Sequence, residues 1–216
     1  MQNVMDMLDL GRKNYKEAWD IQKMLHEKRV HNEIADTLIL VEHNPVVTLG
    51  KSGNRDNIKI PIQLLKEKGI DFFQIERGGD VTFHGPGQVV GYPICNIKQG
   101  LAGIKPFIDK LEDVIIETLY DFDICAKKRE KMIGVWVQEK KICSIGIAVK
   151  RWVSFHGFAL NVNIDLQYFD LIYPCGFKDI KMTSMQEILR RQIPMEAVKK
   201  GIIENFIKIF QKNCVV

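Results

Sequence analysis

Residues 76–93 read E-R-G-G-D-V-T-F-H-G-P-G-Q-V-V-G-Y-P, and the apolar run continues to Ile97. Glycines permit positive φ and close backbone approach, while Pro86 and Pro93 stiffen what the glycines loosen. Arg77, Asp80 and His84 add a cation, an acid and a titratable imidazole. Rigidity and polar chemistry coincide here, which points to a binding site rather than a plain Gly-rich hairpin. Residues 81–83 and 88–97 read as strands flanking the His-Gly-Pro-Gly turn. The second is almost continuously apolar, as a central strand buried on both faces would be.

The same logic extends outward. Residues 71–75 form a strand leading into the motif. Residues 37–42 and 46–49 read as two strands of a hairpin turning at His43-Asn44-Pro45, and the polar residues 50–57 as a loop bordering a site. Pro61 opens a short helix over 61–68. Tyr15, Ala18, Trp19, Gln22 and Leu25 mark an amphipathic helix over 13–31, with His26 and His31 on its solvated side. Phe107, Leu111, Val114, Ile115, Leu119 and Phe122 hold one face of a helix over 103–122. Strands follow at 133–137, 141–149 and 152–162, the last two joined as an antiparallel hairpin. Residues 165–171 read as helical turns, 173–177 as irregular backbone, and 194 onward as a basic amphipathic helix packed on the core. The order predicts an α+β class: a mixed, largely antiparallel central sheet flanked by helices, in a single domain over 1–216.

With 216 residues, 46% hydrophobic and 27% charged, the chain has an ordinary globular composition. A net charge of +4 favours acidic partners slightly and lacks the clustered basic signature of a nucleic-acid binder. The densest basic run, 127–131, reads as a solvated hairpin tip. The first residues lack a signal-peptide pattern and no apolar run approaches a bilayer span, so a soluble, cytoplasmic chain without membrane association is expected. Cysteines at 95, 125, 143, 175 and 214 form no C-x-x-C pair, which argues against a disulfide framework or zinc site.

Two cysteines compete as nucleophiles. Cys175 sits between a proline and a glycine, in a turn that could present a thiol beside an activating cation, or bury it as an inert residue. Lys141 opens the strand K-I-C-S-I-G-I-A-V, whose alternation puts Lys141, Cys143, Ile145 and Ile147 on one face and Ser144 and Gly146 on the other. Cys143, between isoleucines, reads as core; Gly146 marks close approach by a ligand or another segment. His156 to Asn163, H-G-F-A-L-N-V-N, could line a pocket or form a hydrogen-bonded edge. Gly-Pro-Gly-Gln is no P-loop.

R-G-G-D-V-T-F-H-G-P-G-Q-V-V-G-Y-P-I, K-I-C-S-I-G-I, F-H-G-F-A-L-N-V-N and I-Y-P-C-G, in that order, resemble the lipoyl(octanoyl) transferase family from about Leu38 to Met185. The resemblance implies a fold similar to the catalytic domain of biotin and lipoate protein ligases, and transfer of octanoyl (or lipoyl) from acyl carrier protein to a lysine of lipoyl domains. Those acceptors would be domains of 2-oxoacid dehydrogenase complexes or the glycine cleavage H protein. It also implies Cys175 as the acyl-thioester nucleophile, with Lys141 as the cation that favours its thiolate. Arg77, Gly78, Gly79, Asp80, Val81, Thr82, Phe83 and His84, with Ser144, Ile145 and Gly146 and with Gly157, Phe158 and Ala159, would line the acyl pocket. Phe83 stands where tyrosine is usual, Ser144 replaces a small apolar residue and Phe158 replaces leucine; these bear on pocket shape.

Acyl passage between thioesters is close to isoenergetic, and thioester to amide runs downhill, so no cofactor is called for. An ATP-dependent lipoate or biotin ligase is the enzyme rival, since it would not depend on Cys175. A non-catalytic acyl-carrier-binding module is the rival from another class.

Overall fold

The computed structural model describes residues 5–98 and 103–211. The first four residues and Cys214 lie outside it. In chain order the elements are β1 (Asp6–Lys13), α1 (Tyr15–Val30), β2 (Thr37–His43), β3 (Val46–Leu49), α2 (Ile62–Glu67), β4 (Asp71–Gln74), β5 (Val81–His84) and β6 (Gln88–Ile94). Then come α3 (Ile104–Tyr120), β7 (Lys127–Lys128), β8 (Val135–Val137), β9 (Lys140–Lys150), β10 (Val153–Asn161), β11 (Lys181–Met182), α4 (Met185–Leu189) and α5 (Met195–Gln211). Two 3-10 turns, Leu166–Leu171 and Pro174–Gly176, lie between β10 and β11.

The large sheet runs β1-β2-β6-β10-β9-β8-β7, with β11 also paired to β9. Only β1–β2 and β11–β9 are parallel. β6 lies at its centre and every residue of it is buried, as its unbroken apolar run requires. Alternation along the strands splits the core in two. Leu38, Leu40, Val89, Phe158 and Leu160 face α3 and α5, while Ile39, Val41, Val90, Tyr92 and Ala159 face α1.

The small sheet, β4-β3-β5, corrects two sequence expectations. Residues 37–42 and 46–49 are strands but not a hairpin: β3 pairs with β4 and β5, not β2. Pro45 has no N–H to close a ladder, and its carbonyl instead accepts from Asp71 N at 3.0 Å, so the chain turns a corner between sheets. The Gly85-Pro86-Gly87 turn likewise separates β5 in the small sheet from β6 in the large one. Gly87, at φ 84, lies so close to Asn163 and Ile164 that a Cβ would meet their backbone at about 2.5 Å.

Other differences are local. His26 is buried, its Nε2 3.2 Å from the Lys150 carbonyl and its ring on Phe155; the hydrogen bond lets a polar residue occupy the packed face. His31 is exposed, as expected. The 127–131 run is not a free hairpin tip. Lys127 and Lys128 form an edge strand, Lys128 pairs with Asp113, and Arg129 pairs with Glu139 over the Trp136 ring. Among the described residues no helix is long and apolar enough to cross a membrane.

Candidate active site

The site forms where the two sheets face each other. Arg77 reaches into the small sheet: its Nη2 donates to the Thr48 carbonyl and hydroxyl at 2.8 and 2.9 Å. The next residue reaches the large sheet, where Gly78 N donates to the Ile147 carbonyl at 2.9 Å. This crossing explains Gly146 in mid-strand, because a Cβ there would lie 2.9 Å from the Gly78 carbonyl and 3.3 Å from Arg77 Cδ. Residues 50–57 border the site through bonds from Lys51 N to the Arg77 carbonyl, Ser52 Oγ to the Gly79 carbonyl and Asn57 Nδ2 to Asp80 Oδ2.

Between the sheets runs a narrow channel lined by residues of both. One wall is the Arg77–Asp80 loop with Val81, Thr82 and His84 of β5; the other is Ser144, Ile145 and Gly146 of β9 with Gly157, Phe158 and Ala159 of β10. Phe83 is not brought to it. That ring is fully buried in the small-sheet core, stacked on Tyr168 at 4.5 Å. The inner end is lined by Tyr15 and Tyr92, which sequence reading did not name for the pocket, and by His156, whose segment it gave as a possible pocket wall.

Cys175 stands at the channel mouth, partly exposed. Its backbone is left-handed, φ 58 and ψ 18, a conformation that non-glycine residues adopt rarely and at a cost. The turn is held by Gly176 N to the Tyr173 carbonyl and by Tyr173 N to the Asn57 carbonyl. Asp80 Oδ2 packs so tightly on Gly176 that a Cβ there would lie 2.7 Å away.

Lys141 is 3% exposed, and its Nζ donates to Cys175 Sγ at 3.2 Å. The long side chain runs past Trp136, 5.4 Å from the ring centroid, and over Gly134. Gly134 is held by its N–H to Glu112 Oε1 at 2.8 Å. None of Trp136, Gly134 and Glu112 carried a signal in the sequence, since each acts through Lys141. The strict alternation expected from Lys141 to Cys143 fails. β8 pairs Trp136 with Lys141 and Val135 with Cys143, leaving Ile142 as an extra residue, so Ile142 and Cys143 both join the large core. Burial pushes the Cys143 thiol up to about 12, which leaves it inert as a nucleophile near neutral pH.

The buried histidines at the site are pushed toward their neutral form. Burial brings His84 down to about 3 and His43 to about 4, and lowers His156 as well. His84 Nδ1 meets Gln88 Oε1 at 2.7 Å, and Gln88 reaches on to Asn161 Oδ1. Among the described residues no cluster of His, Cys, Asp or Glu could hold a metal ion.

A mixed sheet, a second small sheet over it and a thiol–ammonium pair at the mouth of the cleft between them make up the candidate active site. Solved structures share the architecture: a lipoate-protein ligase A bound with ATP has a TM-score of 0.75 at 12% identity, over 97% of this chain and 86% of that one. The biotin protein ligase of Aquifex aeolicus has 0.56 at 14%, over 98% and 70%. At such identities the likeness is one of fold. A model of the lipoyl protein ligase A/B catalytic domain matches residues 14–207. The octanoyltransferase of Dictyoglomus thermophilum is 49% identical over 196 residues, 91% of this chain and 83% of that one. That of Alkaliphilus metalliredigens is 43% identical over 212 residues, 98% and 97%. The chain belongs to the lipoyl protein ligase A/B catalytic domain family, and within it to the octanoyltransferases, the enzymes of octanoyl transfer in protein lipoylation.

Proposed function

We propose that residues 1–216 act as one catalytic unit in which Cys175 carries the acyl group, Lys141 manages the protons and the channel holds the chain. The contact from Lys141 Nζ to Cys175 Sγ at 3.2 Å, at the mouth of a buried channel, carries this reading. The donor is an acyl carrier protein bearing octanoyl as a thioester, and the acceptor is a lysine amine of a lipoyl domain. As an ammonium, Lys141 favours the Cys175 thiolate, which attacks the donor carbonyl carbon. The tetrahedral intermediate collapses with loss of the carrier thiolate, which takes a proton from Lys141. The amine of the acceptor then attacks the enzyme thioester and passes its proton to Lys141. A C–N bond forms, the C–S bond breaks and the thiolate returns.

General acid–base help of this kind contributes about 10²–10⁴-fold. Among the described residues the N–H groups of Gly79 and Asp80 donate to nothing, and both residues belong to the channel wall that Cys175 also lines. They are available to an oxyanion.

The test is incubation with octanoyl-acyl carrier protein without ATP, followed by intact mass. Wild type and Cys175→Ser are expected to differ by one octanoyl adduct, while Cys143→Ser retains it. Product formed only with ATP, or an adduct that survives Cys175→Ser, overturns the assignment.

A further inference from the structure

The channel changes character with depth. Its levels follow from strand register: Ser144 lies opposite Ala159 and Ala159 opposite Val90, then Gly146 lies opposite Gly157, then Ile147 opposite His156. Lys141 and Cys175 mark the outer end. The middle levels carry Ser144, Ala159 and Val90 and then the two glycines, with no charged or imidazole side chain on β9 or β10. The deepest level carries one, His156.

Three groups there keep hydrogen-bonding capacity. Arg77 Nε is buried without a hydrogen bond, and His156 Nε2 has only the Glu76 carboxylate, at 3.5 Å. Tyr15 is 2% exposed, and among the described residues its hydroxyl makes no hydrogen bond. All three residues line the channel. Arg77 Cδ lies against Gly146, which puts Nε at the inner levels. Alternation would send His156 toward Phe158 and Leu160, but its left-handed backbone, φ 55, turns the ring to Trp19 and Tyr92. Gln22 Oε1 holds that conformation by accepting from His156 N at 2.9 Å.

These groups cannot easily turn elsewhere. Both Nη atoms of Arg77 are tied to Thr48 and Gly78. The Tyr15 ring is stacked parallel to His84. Buried polar groups are satisfied in folded proteins, so a cluster of fixed and incompletely satisfied ones facing a cavity marks a place for an outside partner.

We propose that the inner end of the channel is a hydrogen-bonding subsite, and that the enzyme takes medium-chain acyl groups bearing a polar oxygen at the far carbon. This rests on the channel being the acyl site. An alkyl tail reaching this level strips water from donors and returns nothing. A hydroxyl there replaces the water it displaces.

The experiment compares 8-hydroxyoctanoyl with nonanoyl, both on acyl carrier protein. The two tails have equal length and differ only in a terminal hydroxyl or methyl. In single-turnover competition at Cys175, read by intact mass, 8-hydroxyoctanoyl is expected to load about tenfold or more faster. Tyr15→Phe should move that ratio toward unity, whereas a merely structural loss would slow both tails together. Nonanoyl loading as fast as or faster than 8-hydroxyoctanoyl overturns the subsite. Calorimetric binding of free 8-hydroxyoctanoate and nonanoate tests it independently of any transfer: tighter hydroxy acid supports it, and equal or tighter nonanoate overturns it. Failure of octanoyl itself to form an adduct would instead count against Cys175 as nucleophile.

Discussion

Gly134→Ala tests whether the position of the Lys141 ammonium governs acyl loading. Gly134 has φ 126, and a Cβ built on it would lie 2.4 Å from Lys141 Cε, 2.5 Å from the Cys143 carbonyl and 3.1 Å from Lys141 Nζ. Strand pairing fixes the carbonyl, so the lysine end must yield. Relief from 2.4 Å to ordinary contact needs a shift of more than an ångström, enough to break the 3.2 Å contact with Cys175. Misplacing a catalytic group by about 1 Å costs on the order of 10²-fold, and that is the expected loss in single-turnover octanoyl loading. The left-handed backbone adds a stability cost of about 1–3 kcal/mol, which must be separated from the effect on rate. Gly103→Ala provides the control: its φ is 121 and no atom lies within 4 Å of the added Cβ. Gly103→Ala isolates the backbone cost; Gly134→Ala should lose more stability, because its Cβ also meets the Cys143 carbonyl, and only Gly134→Ala should lose loading rate in the protein that remains folded. Wild-type loading in Gly134→Ala, or an equal rate loss in Gly103→Ala, refutes the reasoning.

Stability should fall on acidification because of two buried imidazoles. His43 and His84 are held at about 4 and about 3 in the folded state. The unfolded chain therefore binds protons first as pH falls through 6.5, and stability is lost from there downward until the folded values are reached. By pH 5 each costs about 2 kcal/mol. Urea unfolding at pH 7 and pH 5 should show a smaller loss for His84→Gln than for wild type, and equal losses would refute this. Gly157→Ala should cost roughly 3 kcal/mol or more, because its Cβ would lie 2.1 Å from the Gly91 carbonyl on the neighbouring strand. A urea midpoint within error of wild type would show that the two strands can separate there.

Much of the fold was legible because burial wrote it into the pattern. β6 is buried throughout and reads as an apolar run; α3 turns Phe107, Leu111, Val114 and Leu119 to one core and reads as helical spacing. What could not be read depends on partners distant in sequence. β1 alternates weakly, since most of its residues are exposed and its strand partner is β2 alone, in parallel. The corner at Pro45 looks like a hairpin turn until β4, more than twenty residues later, claims β3. Cys175 was undecided by its neighbours; a lysine thirty-four residues earlier decides its surroundings. His156 defeats the period-two rule because a side chain from α1, Gln22, stabilises its positive φ.

The glycine-rich stretch invites an acid–base story that the geometry does not support. His84 stays neutral near pH 7, hydrogen-bonded to Gln88 inside the wall. Asp80 is engaged by Val81 N and Asn57 Nδ2 and packs against the Cys175 turn. Arg77 and Gly78 tie one sheet to the other, at Thr48 and Ile147. The stretch thus sets the spacing between the sheets, and with it the width of the channel and the placement of the Cys175 turn. Its backbone makes the contact across the gap, from Gly78 N, and a side chain on Gly50 or Gly146 would collide with this loop. The glycines facing the loop are therefore as integral to the site as the thiol, although none of them takes part in the chemistry.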